Sequence, residues 1–347
     1  MSAPSFAQAA RLPVIILTGF LGAGKTTLLD RLLRQKGASK SAIIVNEWGE
    51  AGLDHELLRS NTGTDAMLLS GGCVCCTARS DLTDTLRDLF RRRVLGMIPE
   101  FERVIIETTG MADPGPLIHA LMAEPLTAAR YRLGGVVTVV SAPDGEAQMD
   151  VHAEAIAQIA MADRLIVSKS DLANTDATAR LIARMLRINP LAQLEVARFG
   201  EVNPMKLLSE QDWTEIPVPT KEMADGQDRH GDGIRTVTAR YDAPLDAHAL
   251  KTALKEIAGH IGPKLIRLKG IVRLTGESQP MAVHGVGSAL YPLVPVADTA
   301  AATSRLVFIL KSTEPAAVPA LLDRLLPGRL LPGHLPAEDQ ADNAAKA

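Results

Sequence analysis

Cysteine is almost missing from this chain of 347 residues: Cys73, Cys75 and Cys76 are all there is, and all lie within "GGCVCCT", residues 71–77. An odd, local set of thiols excludes a framework of structural disulfides, which links distant segments in pairs. Adjacent Cys75 and Cys76 could close only a small, strained ring. Aromatic residues are scarce at 3%, so the core has to be built from Leu, Val, Ile and Ala. Neither sign of charge prevails: a net charge of −3 leaves no footprint for a polyanion and excludes nucleic acid as an expected partner. No apolar run reaches the roughly 18 residues of a membrane span. The opening "MSAPSFAQAARLP" lacks the basic start and apolar block of a secretory signal, so no membrane association is expected. The expected location is the cytoplasm, a reducing compartment where clustered thiols serve metals or catalysis.

What is present is a rhythm. "VIILT" (14–18), "AIIVNE" (42–47), "RVIIET" (103–108), "GVVTVV" (135–140) and "RLIVSK" (164–169) are short, continuously apolar runs. Such runs are strands buried on both faces, as in a parallel sheet covered by helices. Helical patterns fall between them, at 25–34, 77–93 and 153–161. The rhythm gives the fold class α/β, a doubly wound sheet, and the Gly-rich "GFLGAGKTT" after the first strand makes it a P-loop NTPase sheet; a second, smaller α+β domain follows. The division expected is a flexible N-terminal tail (1–12), the P-loop domain (13–215), a Pro/Gly-rich linker (216–233), the α+β domain (234–330) and a polar, disordered tail (331–347). In the second domain the pattern predicts strands at 234–241, 265–274, 281–286 and 305–311, with helices at 245–261 and 316–326. Lys269 and His284 on these strands are expected to be exposed, and His119, in "PLIHAL", to be a core or helix-surface residue rather than a ligand.

"GFLGAGKTT", starting at Gly19, follows the first strand and opens a helix, the setting that G-x-x-x-x-G-K-[ST] requires. Gly19, Gly22, Ala23, Gly24 and Thr27 complete a loop whose backbone N–H groups turn inward on a phosphate, helped by the helix N-terminus. Lys25 is expected to reach the β- and γ-phosphates and the Thr26 hydroxyl to ligate Mg²⁺. "VIIETTG" puts Glu107 at a strand end, to hold Mg²⁺ through water or orient the attacking water, with the backbone of Gly110 sensing a γ-phosphate. "SKSD" (168–171) ends the strand "RLIV" where guanine-binding proteins carry N-K-x-D. Asp171 would accept two N–H bonds that adenine cannot supply, and the Lys169 stem would cover the ring.

In order, "GFLGAGKTT", "NEWGEAGLD" (46–54), "GGCVCC", "ETTGMADP" (107–114) and "SKSD" resemble the motifs of the CobW-type metallochaperone GTPases, over about residues 13 to 330. Trp48 replaces a usual Phe, Thr109 an often-found Ser, and Ser168 the Asn of the guanine motif. The resemblance implies that C-x-C-C binds a transition metal, most often Zn²⁺, and that the GTP or GDP state governs its transfer to a client metalloprotein. Thiolates favour such soft ions over Mg²⁺. On an extended backbone Cys73 and Cys75 point one way, and a turn into the next helix would bring Cys76 round. Three thiolates leave tetrahedral Zn²⁺ one ligand short, a place open to water, Glu47, Glu50 or a client side chain. "NEWGEAGLD" stands where a switch segment belongs, with Glu47 as a further catalytic candidate. If nucleotide and metal share it, each alters the other's affinity. His55 lies near this segment, and His230 is read as a solvated loop residue.

No arginine finger is evident, so slow intrinsic hydrolysis is expected unless a partner supplies one. Three rivals stand beside this reading. A Co²⁺ chaperone of the same architecture, serving cobalamin synthesis or nitrile hydratase, carries the same three cysteines. A P-loop small-molecule kinase would consume nucleotide only with an acceptor and would ignore Cys→Ser changes. A regulatory module with a structural metal would unfold on chelation. The client, the physiological metal, the fourth ligand and the oligomeric state are not encoded in these motifs.

Overall fold

The computed structural model describes residues 11–34, 40–45, 67–70, 79–197, 201–202, 207, 233–296, 303–311 and 317–326, with backbone alone at 67–70, 79–81, 263, 317 and 319. The apolar runs form a seven-stranded, wholly parallel sheet: β1 (Leu12–Thr18), β2 (Ser41–Val45), β3 (Met67–Ser70), β4 (Arg103–Glu107), β5 (Tyr131–Ser141), β6 (Arg164–Ser168) and β7 (Gln193–Val196). Their spatial order is β3-β2-β4-β1-β5-β6-β7, which puts β1 near the middle with β4 and β5 as its neighbours. The four-residue β3 and β7 carry too little pattern to be predicted from sequence.

The strands are apolar throughout because both faces are covered. Val14 and Ile16 of β1, Val104 and Ile106 of β4, and Ala42 and Ile44 of β2 enter one core, and the alternating Ile15, Leu17, Ile105, Ile43 and Val45 enter another. Successive strand side chains point to opposite faces, so the two sets are separated by the sheet itself. The second core is closed by α1 (Lys25–Leu33), through Leu28, Leu29, Leu32 and Leu33. The first takes residues from α2 (Arg79–Val94), α3 (Pro114–Ala123), α6 (Ala153–Met161) and α7 (Thr175–Ile188). Two short helices, α4 (Pro125–Arg130) and α5 (Gly145–Val151), complete this part. Caps set several starts: Asp113 accepts from Gly115 N at 2.8 Å before α3, and Asn174 accepts from Ala177 N at 2.7 Å before α7.

Residues 233–326 build the antiparallel sheet β11-β10-β9-β13-β8, from β8 (Ile234–Tyr241), β9 (Leu265–Val272), β10 (Met281–Val286), β11 (Ala289–Leu290) and β13 (Ser304–Lys311), with β12 (Val294–Pro295) also on β10. One face packs on α8 (Ala247–Ile261) and α9 (Ala317–Leu325) through Leu265, Leu268, Val272, Phe308 and Leu310. The other face sends Ile266, Val286, Val307 and Ile309 into the core of the parallel sheet's helices. β9 is thus buried along its whole length.

That second burial corrects an expectation from the sequence. Lys269 and His284 are not exposed: Lys269 is 0% accessible and His284 9%. Arg267 and Lys269, two positions apart on β9, share the face turned to the parallel sheet, and a register irregularity opposite Ile309 and Leu310 leaves Ile266 bulged so that it joins them there. There Asp163, between α6 and β6, takes Arg267 Nη2 at 2.5 Å and Lys269 Nζ at 2.6 Å on one oxygen, and Val136 N donates to the other at 2.8 Å. Burial raises the Asp163 carboxyl, but the charges of Arg267 and Lys269 outweigh it and hold the group below the usual carboxylate range. Burial, with repulsion from Arg267, pushes Lys269 down to about 8 against the pull of Asp163. Burial and the same two cations keep His284 well below the ordinary histidine value.

Candidate functional site

In a parallel sheet every strand ends on one edge, and the crevice for a ligand opens where successive connections leave in opposite directions. Here that point is the end of β1, since β4 and then β2 lie on one side of it and β5 on the other. Gly19 follows β1 directly, and the loop delivers the chain into α1 with Gly24 as N-cap in the left-handed region, φ 90°. Gly19 has a second reason to be glycine, because a Cβ there would collide with the carbonyl of Val139 on β5. Ala23 is buried, Gly22 and Thr27 are exposed, and Lys25 is 9% accessible. The Lys25 ammonium donates to Gly19 O at 2.9 Å and Phe20 O at 3.3 Å, which holds it inside the loop.

Glu107 ends β4 in register with Leu17 of β1, so it stands beside the loop and is 3% accessible. Thr26 Oγ1 donates to Glu107 Oε1 at 2.7 Å, joining residues 81 positions apart. These two hard oxygen donors beside a buried lysine fit Mg²⁺ rather than a soft ion. Beyond Glu107, Thr108 donates to Thr18 Oγ1 at 2.8 Å, tying this loop to the root of the P-loop. Gly110 is so close to Leu21 that a Cβ would lie 2.7 Å from the Leu21 nitrogen.

"SKSD" reaches the same edge. Ser168 ends β6 opposite Ser141 of β5, and its hydroxyl donates to Ala23 O at 2.7 Å. The serine that departs from the guanine motif therefore still binds the phosphate loop. Lys169 has φ 55°, and among the described residues no other non-glycine has a positive φ. This costs about 1 kcal/mol and gives the turn that Leu172 N closes on Lys169 O at 2.9 Å. Asp171 is exposed on that turn.

The structure thus brings together Gly19, Gly22, Ala23, Gly24, Lys25, Thr26, Thr27, Glu107, Gly110 and the Lys169–Asp171 turn on one sheet edge. Glu47, Glu50, His55, Cys73, Cys75, Cys76 and His230 lie outside the described residues. His119 is half-buried on α3, as expected of a helix residue. Among the described residues no cluster of three His, Cys, Asp or Glu is placed to hold a metal ion, and no helix is long and apolar enough to cross a membrane.

Sequence reasoning missed what supports these loops. His152 stacks on Phe20 with ring centroids 4.5 Å apart, Gln148 Nε2 donates to Leu21 O at 3.2 Å, and Gln158 Nε2 donates to Gly110 O and Ala112 O. No motif flags them, since the contacts span between 46 and 132 positions in the chain.

The parallel sheet, the glycine loop on a helix N-terminus and the Thr26–Glu107 pair define a P-loop nucleotide-binding protein. Within that class, residues 13–195 match the CobW/HypB/UreG nucleotide-binding domain and residues 234–326 the cobalamin synthesis protein cobW C-terminal domain. The chain belongs to the CobW family. It is 34% identical to the zinc chaperone YjiA of Escherichia coli (strain K12), over 79% of this chain and 86% of that protein. It is 31% identical to the zinc chaperone CobW of Pseudomonas aeruginosa, over 89% and 90% of the two. The crystal structure of Zn(II)-bound YjiA GTPase from E. coli superposes with a TM-score of 0.68 at 27% identity, covering 91% of this chain and 99% of that one.

Proposed function

We propose that this chain is a zinc-carrying GTPase: it binds GTP with Mg²⁺, hydrolyses it slowly, and passes Zn²⁺ from Cys73, Cys75 and Cys76 to a client metalloprotein. The observation that carries the nucleotide half is the Thr26–Glu107 contact beside buried Lys25. In this reading Lys25 neutralises the β- and γ-phosphates, Thr26 ligates Mg²⁺, Glu107 acts on it through water, and Gly110 senses the γ-phosphate. Asp171 and Lys169 select and cover guanine.

Topology supports the metal half. Val45 of β2 is in register with Glu107 on one side and Ser70 of β3 on the other. The segments 46–54 and 71–77 therefore leave the sheet from adjacent strands on the nucleotide edge. Cys73 is three residues past Ser70, so even a fully extended chain keeps it within about 11 Å of that strand end. Two strand spacings, about 10 Å, separate Ser70 from Glu107. The naming of relatives as zinc chaperones, and of one as a Zn(II)-bound GTPase, supports zinc over cobalt.

The test is to purify the chain without added metal, measure bound elements and GTP turnover, and repeat both with Cys75→Ser and Cys76→Ser. Zinc lost from the variants while turnover persists is the expected result. Equal zinc in variant and parent would overturn the metal assignment, and no GTP turnover in the parent would overturn the nucleotide one.

A further inference from the structure

Helix α6 touches the nucleotide loops at both ends without contributing to any motif. At its start, the N-cap His152 lies on the Phe20 ring of the P-loop. Near its end, Gln158 is 1% accessible, and its Nε2 donates to Gly110 O at 3.1 Å and Ala112 O at 2.9 Å. Both acceptors belong to the loop that follows Glu107. The loop closes one turn of its own, Ala112 N on Thr109 O at 3.2 Å, and the side chain of another element takes up these two carbonyls.

We infer that Gln158 is a positioning residue for the γ-phosphate step: it holds the 108–113 loop against the P-loop so that Gly110 can report on the third phosphate. The inference rests on the GTP-hydrolysis reading above. Three observations carry it. Gly110 sits with no room for a Cβ before the Leu21 backbone, so a shift of its carbonyl must move the P-loop or be resisted by it. Gln158 is itself held, because Thr138 Oγ1 donates to its carbonyl at 2.8 Å, and Asn189 Nδ2 bonds Ile159 O and Ala162 O, each at 2.8 Å, just beyond. Finally, among the described residues no donor reaches the buried Gln158 Oε1. An amide that leaves one acceptor unsatisfied is a poor core filler compared with Leu or Met, so it is the two donors that justify it.

Displacing such a loop by about 1 Å costs on the order of 10²-fold in rate. Gln158→Leu and Gln158→Met, similar in volume but without donors, should lower kcat for GTP hydrolysis by roughly 10- to 100-fold and raise KM in step with the weakened GTP binding. The decisive readout is discrimination: affinity for a non-hydrolysable GTP analogue should fall towards that for GDP, while GDP affinity stays at the parent's value. A general packing defect would weaken both nucleotides by the same factor. An unchanged kcat in a folded variant, or equal losses for both ligands, overturns the inference. Parent turnover measured in parallel separates this outcome from failure of the GTPase reading itself. Should neither variant fold, hydrogen exchange on the parent decides. Peptides over 108–113 and 153–161 must gain protection together with the GTP analogue and not with GDP, and protection of the first alone contradicts the proposal.

Discussion

Lys25 and Thr26 are neighbours in sequence but act in different directions, the lysine folded into the loop and the threonine turned to Glu107. Their replacement should have different signatures. In the proposed role Lys25→Ala removes a charged partner of the phosphates, and a charged hydrogen bond is worth about 1.5–3 kcal/mol, so nucleotide affinity should fall roughly 10- to 150-fold by calorimetric titration. Glu107→Gln keeps an acceptor for Thr26 but, in the role proposed for it, discards the charge that a magnesium-bound water needs. Turnover should drop on the order of 10²-fold while magnesium-free nucleotide binding holds. Equal effects of the two changes on magnesium-free binding would contradict these roles. At this scale the sequence was legible: glycine spacing, the lysine and the hydroxyl identify themselves because phosphate chemistry tolerates few substitutes. Gln158 was not, since a lone amide in "AIAQIAM" looks like any polar position of a helix and its partners lie 46 and 48 residues away.

At the scale of elements, continuous apolar runs foretold the strands because a parallel sheet buries both faces, and β8 and α6 fall on their expected residues. β3 and β7 escaped because four residues hold less than a full pattern and rest on their neighbours for definition. The polarity of β9 misled for a different reason: alternation tells which residues share a face, not whether another element covers it. Arg267 and Lys269 alternate with apolar neighbours as on a solvated face, yet their carboxylate partner is 104 positions away from Arg267. Gly110 is a point of close approach, where a Cβ would lie 2.7 Å from the Leu21 nitrogen. Gly110→Ala should push the loop after β4 from the backbone at Leu21, and we expect hydrolysis to suffer more than GDP binding. A variant with parent kcat would show that this approach is not needed for turnover.

For the whole molecule, the cluster around Asp163 ties the two sheets together alongside the apolar contacts of Ile266, Val286, Val307 and Ile309. Removing its charge leaves Arg267 and Lys269 buried without compensation, so Asp163→Asn should cost about 3–5 kcal/mol in denaturant unfolding. Replacing all three by Leu and Met should recover much of it. The cluster also sets a pH response. Below pH 6.5 the unfolded chain protonates His284 more readily than the folded chain, where Arg267, Lys269, Asp163 and Tyr291 surround it, so stability falls as pH drops. Asp163 adds to that loss only in stronger acid, below its ordinary value of 3.8. Between about 8 and 10.5 the unfolded chain binds the proton that folded Lys269 has released, so stability there rises with pH. His284→Leu should flatten the decline between pH 6.5 and 5, and a decline of unchanged slope would exclude this histidine as its source.

α6 links these scales, since it holds the Gly110 loop through Gln158 and leads directly to Asp163 under the second sheet. The central claim, however, is that metal and nucleotide share one edge of the parallel sheet. Its most direct test is a competitive zinc titration of the parent protein in three states: nucleotide-free, with GDP, and with a non-hydrolysable GTP analogue, each with Mg²⁺. Coupling between sites of this kind is worth about 1–3 kcal/mol, so zinc affinity should differ between the GDP and GTP-analogue states by roughly 5- to 150-fold. A single zinc affinity in all three states would contradict the account.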